Sequence, residues 1–245
     1  MEKLFSGIIS VRTSSTRLPK KCLLKFGDNT VIEHIIDRCK NYNIEPILCT
    51  STDPEDDILI EIAKERKIKF FRGSLLNKGK RWSDCASYFS LKEFHTIDAD
   101  DPFFDGTQMK ESIEYLIDTN SDVITPTKTS SNGAASVGYS FKSDLIHKVS
   151  EKFNEEIDTE YIWDFINQIN PIKKLTLPEK NIEKIKMRLT LDYEEDFLIL
   201  NMVRLILGKE AKRDEINDLF KRNPDLHLIN WFRNEDYLKN QSKKK

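Results

Sequence analysis

The sequence predicts a three-layer α/β/α sandwich around a mainly parallel sheet, and two observations carry that prediction. Short apolar runs of strand length alternate with segments of helical period through the first half of the chain. The loop after the first of these runs is dense in cations and hydroxyls, and open α/β sheets bind their ligands at the carboxyl ends of their strands.

Taken in order, Leu4, Phe5, Ile8 and Ile9 make a first buried strand. Val31, Ile32, Ile35, Ile36 and Cys39 then form one helical stripe, with His34 on the face opposite to it. Pro46 to Thr50 reads as the second strand. Asp53-Pro54 opens the next helix, with Asp as the cap and Pro in the first turn. Lys69 to Arg72 is a third strand, Trp82, Cys85, Ala86 and Phe89 mark a helix, His95 to Ile97 a strand, Met109 to Ile117 a helix, and Asp122 to Thr125 another strand. The Ser, Thr, Asn and Gly of Thr127 to Ala135 break this regularity and predict a mobile loop over the site. Beyond it the patterns predict a strand over Ser136 to Phe141, helices over Asp144 to Lys152 and Asp158 to Ile169, and a strand over Ile172 to Leu177. Helices over Asp196 to Leu207 and Asp214 to Lys221 close the chain, and residues 241–245 form a frayed tail.

Composition bounds the class of protein. With 245 residues, 38% apolar and 33% charged, residues 1–240 are expected to form a single domain, with about 128–186 as a capping and dimerisation block. A net charge of −2 provides no global field to recruit nucleic acid or an anionic membrane. Cys22, Cys39, Cys49 and Cys85 lack CxxC spacing and read as small, reduced core residues. No apolar run reaches the length of a membrane span, and no signal peptide precedes the first strand, so a cytoplasmic protein is expected.

The loop itself runs Ser10-Val11-Arg12-Thr13-Ser14-Ser15-Thr16-Arg17-Leu18-Pro19-Lys20-Lys21. Arg12, Arg17, Lys20 and Lys21 can neutralise several phosphate oxygens, and hydroxyls and loop N–H groups supply directional hydrogen bonds, so the loop reads as a triphosphate cradle. It has neither the glycines of a P-loop nor a GxGxxG turn, which excludes kinase and dehydrogenase readings. Two acidic loci follow strands further along: Asp98-Ala99-Asp100-Asp101-Pro102, and Asp192 after Arg188-Leu189-Thr190-Leu191. Aspartates at strand ends also cap helices and make turns; magnesium, for its part, needs only one or two carboxylates besides water and phosphate.

The loop resembles the amino-terminal signature of the cytidylyltransferases that activate sugar acids, roughly Ala-Arg-x-x-Ser-x-Arg-Leu-Pro-Gly-Lys, and most closely the spore-coat polysaccharide branch. Arg12, Ser15, Arg17, Leu18, Pro19 and Lys21 match it, while Val11 replaces the Ala and Lys20 replaces the Gly. Asp100 falls on the aspartate of the family's Gly-Asp-x-Pro, and Arg188 to Asp196 resembles its Arg-Leu-Thr-Val-Asp-x-x-x-Asp segment. The resemblance implies a nucleotide-diphospho-sugar transferase-like sheet and an Mg-dependent reaction in which CTP and an acidic acceptor give a CMP-activated product and pyrophosphate. It makes Asp100 and Asp192 the metal ligands, Asp98 or Asp101 a secondary candidate, Asp196 a cap or support, and Arg12, Lys21, Asp100 and Asp192 the catalytic set.

Phe71-Arg72-Gly73-Ser74, then Asn77 and Arg81-Trp82, resembles the family segment near the nucleotide base and sugar. By that resemblance Ser10, Arg12, Ser15, Arg17, Lys21, Arg72, Gly73, Arg81 and Asp100 bind nucleotide, with backbone around Ser10 and Gly73 reading cytosine. On the acceptor side the family's Gly-Leu-Asp-Val-Glu-Val is Gly133 to Gly138 here, and its Arg-Glu-His is Thr159-Glu160-Tyr161, so only Gly133 and Glu160 survive as substrate contacts. The expected acceptor is therefore an uncommon one, with Lys128 or Lys142 as its acid-binding cation. A sugar phosphate or phosphonate acceptor is the alternative; a non-catalytic nucleotide-binding homologue is a second, against which the intact Asp100 and Asp192 argue. The apolar Tyr161, Trp163, Phe165 and Ile166 and the family's habit imply a homodimer. His34, His95, His147 and His227 have no metal-ligand spacing and read as structural, as do Trp82, Trp163 and Trp231.

Overall fold

The first strand shows why the fold takes three layers. β1 (Phe5–Ser10) is buried on both faces: Ile9 faces one apolar core and Ile8 the other, as the two-residue period of a strand requires. The same division recurs in β4 (Ile44–Ser51), where Leu48 faces one core and Ile47 and Cys49 the second. The computed structural model describes residues 4–127, 137–153, 157–159, 161–179 and 185–236. In it a hairpin of β2 (Lys25–Phe26) and β3 (Asn29–Thr30) leads into α1 (Val31–Asn41), which starts with a capping box between Thr30 and Glu33.

After β4 come α2 (Asp57–Glu65), β5 (Lys69–Gly73), α3 (Lys78–Tyr88), β6 (Glu93–Asp98), α4 (Gly106–Asp118) and β7 (Val123–Thr125). The chain continues through β8 (Ser140–Lys142), α5 (Ser143–Lys152), α6 (Ile162–Ile166), β9 (Lys174–Thr176), α7 (Glu194–Leu207) and α8 (Arg213–Arg222). Seven strands form one sheet in the order β5-β4-β1-β6-β8-β7-β9, in which β5, β4, β1 and β6 are parallel and β8 runs against its neighbours. One core gathers side chains of α1, α2, α7 and α8, and the other those of α3, α5 and α6, so helices cover both faces. The strand order reverses between β1 and β6, where Ser10 lies level with Asp98; that crevice is where an α/β sheet of this kind binds its ligand.

The first half of the chain follows its sequence pattern closely, and the second half departs from it. The strand expected over Ser136 to Phe141 is confined to Ser140–Lys142. Gly138 takes a left-handed φ of 83°, and a Cβ there would meet the Thr96 carbonyl oxygen at 2.0 Å. The helix expected over Asp158 to Ile169 shortens to Ile162–Ile166, because the Thr159 hydroxyl is tied to the start of α3 instead. The expected mobile loop lies outside the described residues except for Thr127.

His34 is a further correction. It is only 4% exposed, because the segment after Asp101 folds back across α1 and buries a second flank of that helix. Its ring packs on Phe26 and Phe103 and donates from Nε2 to the Pro102 carbonyl at 3.0 Å. Burial foremost, and then Arg38, push its pKa down to about 4, so it is neutral at pH 7.

The aromatic cluster taken as a dimer surface is used within the chain. Ile162 and Ile166 are buried, Trp163 packs on Tyr139 and Phe165 on Phe153. All four cysteines are free and buried. Among the described residues no helix is long and apolar enough to cross a membrane.

Candidate active site

The loop after β1 is shaped from below by a buried carboxylate. Asp56 accepts from the Thr13 N–H and hydroxyl, both at 2.8 Å, on one oxygen. Its other oxygen accepts from the Thr50 hydroxyl at 2.9 Å and the Ser51 hydroxyl at 2.5 Å. Burial raises this carboxyl, but the hydrogen bonds outweigh burial and hold it below its ordinary value. The loop then turns on Ser15, whose hydroxyl accepts from the Leu18 N–H at 3.5 Å. Lys20 stands in the left-handed region, φ 53° and ψ 31°, a conformation that glycine adopts without strain. That turn delivers Lys21 to the crevice.

Here the cations meet the two acidic loci. Lys21 Nζ donates to Asp100 Oδ2 at 2.9 Å, to Asp192 Oδ1 at 3.0 Å and to the Leu191 carbonyl at 2.8 Å. Arg17 Nη2 reaches the same Asp192 Oδ1 at 2.5 Å, and Arg188 Nη2 holds the other oxygen, Oδ2, at 3.0 Å. The Leu191 N–H donates to the Asp100 carbonyl at 2.7 Å, so main chain also ties the two loci together. Arg17, Lys21, Asp100, Arg188 and Asp192 thus converge on one cluster of alternating charge.

The electrostatics follow from this packing. Burial raises Asp192, but Lys21 and Arg17 outweigh it and bring its pKa down to about 2. Burial also raises Asp100, with Asp192 and Asp98 adding to the rise and Lys21 opposing it. Lys21 would lose affinity for its proton by burial, but Asp100 and Asp192 raise it above the usual lysine range.

A carboxyl depressed on folding adds stability above its unfolded pKa and loses it as pH falls toward the folded value. For Asp192 this amounts to roughly 2 kcal/mol, fully present above about pH 4 and lost between about pH 4 and 2. Urea unfolding across that window is expected to show the slope in the unaltered protein, and to show it reduced in Asp192→Asn.

The donor set fits magnesium. Two carboxylates on hard oxygens share one ammonium, so a small divalent cation entering there finds both ligands within reach and can leave its other positions to water and phosphate. Among the described residues no group of three or more His, Cys, Asp or Glu is gathered as a metal nest, and a two-carboxylate site does not need one. Asp101 suits the secondary role poorly: it is 2% exposed, accepts from the Thr190 hydroxyl at 2.8 Å, and is raised well above its ordinary value by burial and by Asp100 and Asp98. Asp98, a third exposed and 3.4 Å from Lys78 Nζ, is the better placed of the two. Asp196 caps α7, accepting the N–H groups of Asp192 and Tyr193 at 2.9 and 3.0 Å and the Arg188 Nε at 2.9 Å.

The remaining sequence candidates divide. Arg12 lies beside the crevice, with Nη1 on the Leu75 carbonyl at 2.8 Å. Ser10 ends β1; its hydroxyl accepts from Trp82 Nε1 at 2.6 Å and its carbonyl from the Ala99 N–H at 3.3 Å. Arg72 is turned away to tie strands to loops, donating to the Ser51 and Asp53 carbonyls at 3.0 and 2.9 Å and pairing with Asp57 at 2.6 Å.

Arg81 is buried and clamps the Ser74 and Leu75 carbonyls at 2.5 and 3.3 Å, so it shapes the loop before α3. Gly73 adjoins it, and a Cβ there would come within 3.0 Å of Phe71 and 3.1 Å of Arg81. Lys142 sits opposite Glu93, at the amino end of β6 and the far edge of the sheet from Asp98, with its ammonium on Asn120. It is thereby removed as an acid-binding cation. Lys128, Gly133 and Glu160 lie outside the described residues.

Sequence reasoning passed over Asp56, Lys78 and Asn230. Lys78 opens α3 after the Asn77 cap, with its ammonium 4.9 Å from the centre of the Trp82 ring and beside Asp98, a position readable only once Asn77 is known as the cap. Asp56 follows a Pro in an ordinary capping pattern, and Asn230 has no local signature at all.

A doubly wound sheet with a basic loop after its first strand, facing Asp100 just beyond β6 and Asp192 in the extended segment before α7, which forms no strand although one was expected there, is the arrangement of a nucleotidyltransferase. A family model for cytidylyltransferases matches residues 6–197, and the chain belongs to that family. The spore coat polysaccharide biosynthesis protein SpsF of Bacillus subtilis is 24% identical over 229 residues, covering 89% of this chain and 94% of that protein. A cytidylyltransferase structure from Leptospira borgpetersenii serovar Hardjo-bovis superposes with a TM-score of 0.77 at 23% identity, covering 91% of this chain and 96% of that one. The structure of a CMP:2-keto-3-deoxy-manno-octonic acid synthetase complexed with CTP gives 0.60 at 13% identity, covering 85% of this chain and all of that one.

Proposed function

We propose that this enzyme transfers the cytidylyl group of CTP to an acidic sugar or related acidic acceptor and releases pyrophosphate, with magnesium held by Asp100 and Asp192. The observation that carries the reading is the Lys21 ammonium shared between those two carboxylates, with Arg17 on the second. In the reaction an acceptor oxygen forms a bond to the α-phosphorus in line, the bond from that phosphorus to the α,β-bridging oxygen breaks, and pyrophosphate leaves with the electron pair; the acceptor's proton passes to solvent. Bound magnesium would neutralise phosphate charge and orient the reacting oxygens. Arg12, Arg17 and Lys21 bind and neutralise the β- and γ-phosphates, so the protein contributes position and charge more than covalent chemistry.

Base choice tests this reading. A ligand that binds only the folded state raises stability by mass action, about 2.7 kcal/mol at a hundred times its dissociation constant. With magnesium, CTP is expected to raise the melting temperature more than ATP, GTP or UTP at equal concentration. A larger shift with UTP or GTP would remove the cytidylyl assignment and leave the fold class standing.

We place the reaction in the cytoplasm, a reading supported by four free, buried cysteines. The homodimer rests on the family resemblance alone, because its aromatic cluster is engaged in the chain's own core. Light scattering at micromolar concentration is expected to give twice the chain mass, and a monomeric mass would contradict it.

A further inference from the structure

The family match ends at residue 197, yet the carboxylates of the site are held from beyond it. Asn230 is fully buried, and its Nδ2 donates to the Arg188 carbonyl and to Asp196 Oδ1, both at 2.9 Å. Arg188, itself 2% exposed, donates from Nη1 to Asn234 Oδ1 at 3.1 Å and from Nη2 to Asp192 Oδ2 at 3.0 Å. With Oδ2 engaged in this way, Oδ1 is the oxygen that Asp192 turns toward Lys21 and Arg17.

Three residues after Asn230, Arg233 grips Glu195 in a two-point fork at 2.7 and 3.0 Å and lays its guanidinium 4.7 Å from the centre of the Tyr193 ring. Arg17 lies 5.7 Å over that same ring.

We propose that Asn230 and Arg233 are positioning residues of this active site. Asn230, acting through Arg188 and Asp196, fixes which oxygen Asp192 presents to the cation position. Arg233 holds the tyrosine ring against which the phosphate-facing Arg17 rests. The inference depends on the reading of the site as a magnesium–CTP site. Its physical basis is that outer residues which orient metal-ligating carboxylates change metal affinity without touching the metal, commonly by about 10- to 100-fold.

The test uses the whole chain with Mn2+ as a spectroscopically visible replacement for magnesium. Free Mn2+ is followed by electron paramagnetic resonance in the presence of CTP, and CTP affinity by calorimetry. Asn230→Ala is expected to weaken Mn2+ binding by about tenfold. Arg233→Ala, at a side chain 29% exposed, should keep the fold and weaken CTP binding about three- to fivefold, with Arg233→Lys restoring part of the loss.

Variants that lower the melting temperature of the ligand-free protein but bind Mn2+ and CTP as the unaltered protein does would overturn the inference and leave the active-site reading in place. Failure of the unaltered protein to bind Mn2+ with CTP would overturn both.

Discussion

Asp100→Asn is expected to lower turnover by at least about a hundredfold while the melting temperature stays within a few degrees of the unaltered protein. Charge stabilisation by a catalytic metal is worth several kcal/mol, and the substitution removes one of the two carboxylates proposed to hold it. The side chain is 26% exposed and has Lys21 as its ion-pair partner, so the fold has little to lose. Asp192→Asn should reduce turnover as strongly and also destabilise the protein. Arg17, Lys21 and Arg188 all converge on that buried carboxylate, and breaking a buried ion pair commonly costs about 3–5 kcal/mol. Steady-state kinetics beside thermal unfolding separate the two variants. Near-normal turnover in Asp100→Asn would reduce that residue to a turn.

The second large effect concerns the acceptor. Neither 3-deoxy-manno-octulosonate nor N-acetylneuraminate is expected to be an efficient substrate, and a modified nonulosonate or a phosphonate should be preferred. The family's two acids are Ala135 and Val137 here. Val137 is 3% exposed within the apolar core, and Gly138 is held in a conformation that leaves no room for a Cβ, so the backbone has no place there for a carboxylate and valine side chain in succession. Thr159, in place of a basic residue, is fully buried and binds Asn77 and Gly79. A pocket that lacks a required polar partner discriminates against the ligand that needs it by about four to five orders of magnitude. The kcat/KM of both common acids with CTP decides the point, and efficient turnover of either would mean that the replaced residues were never acceptor contacts.

The parallel half of the sheet was legible because β1, β4 and β6 are short apolar runs buried on both faces, and because helix starts such as Asp53-Pro54 carry their own cap chemistry. The convergence of Arg17 and Lys21 on Asp100 and Asp192 was legible through the family motifs, since no local pattern relates positions so far apart in the chain. The burial of His34 was hidden because a helical stripe records one packed face, whereas α1 also packs beneath Phe103. Arg72 and Arg81 matched a binding motif while their guanidinium groups went to backbone carbonyls, partners that sequence does not encode. Asn230 acts on residues 34 and 42 positions away and has no periodic or capping signature to mark it.

The fate of the α-phosphate decides whether this protein is a cytidylyltransferase in solution. The enzyme is incubated with magnesium, CTP labelled at the α-phosphorus, and a panel of sugar acids, sugar phosphates and phosphonates, and both label and pyrophosphate are followed. Label is expected to move into an acceptor conjugate in step with pyrophosphate release, only with CTP, and at least about a hundredfold more slowly in Asp100→Asn. Release of orthophosphate in place of pyrophosphate, or equal label transfer from another nucleotide, would contradict the cytidylyl assignment.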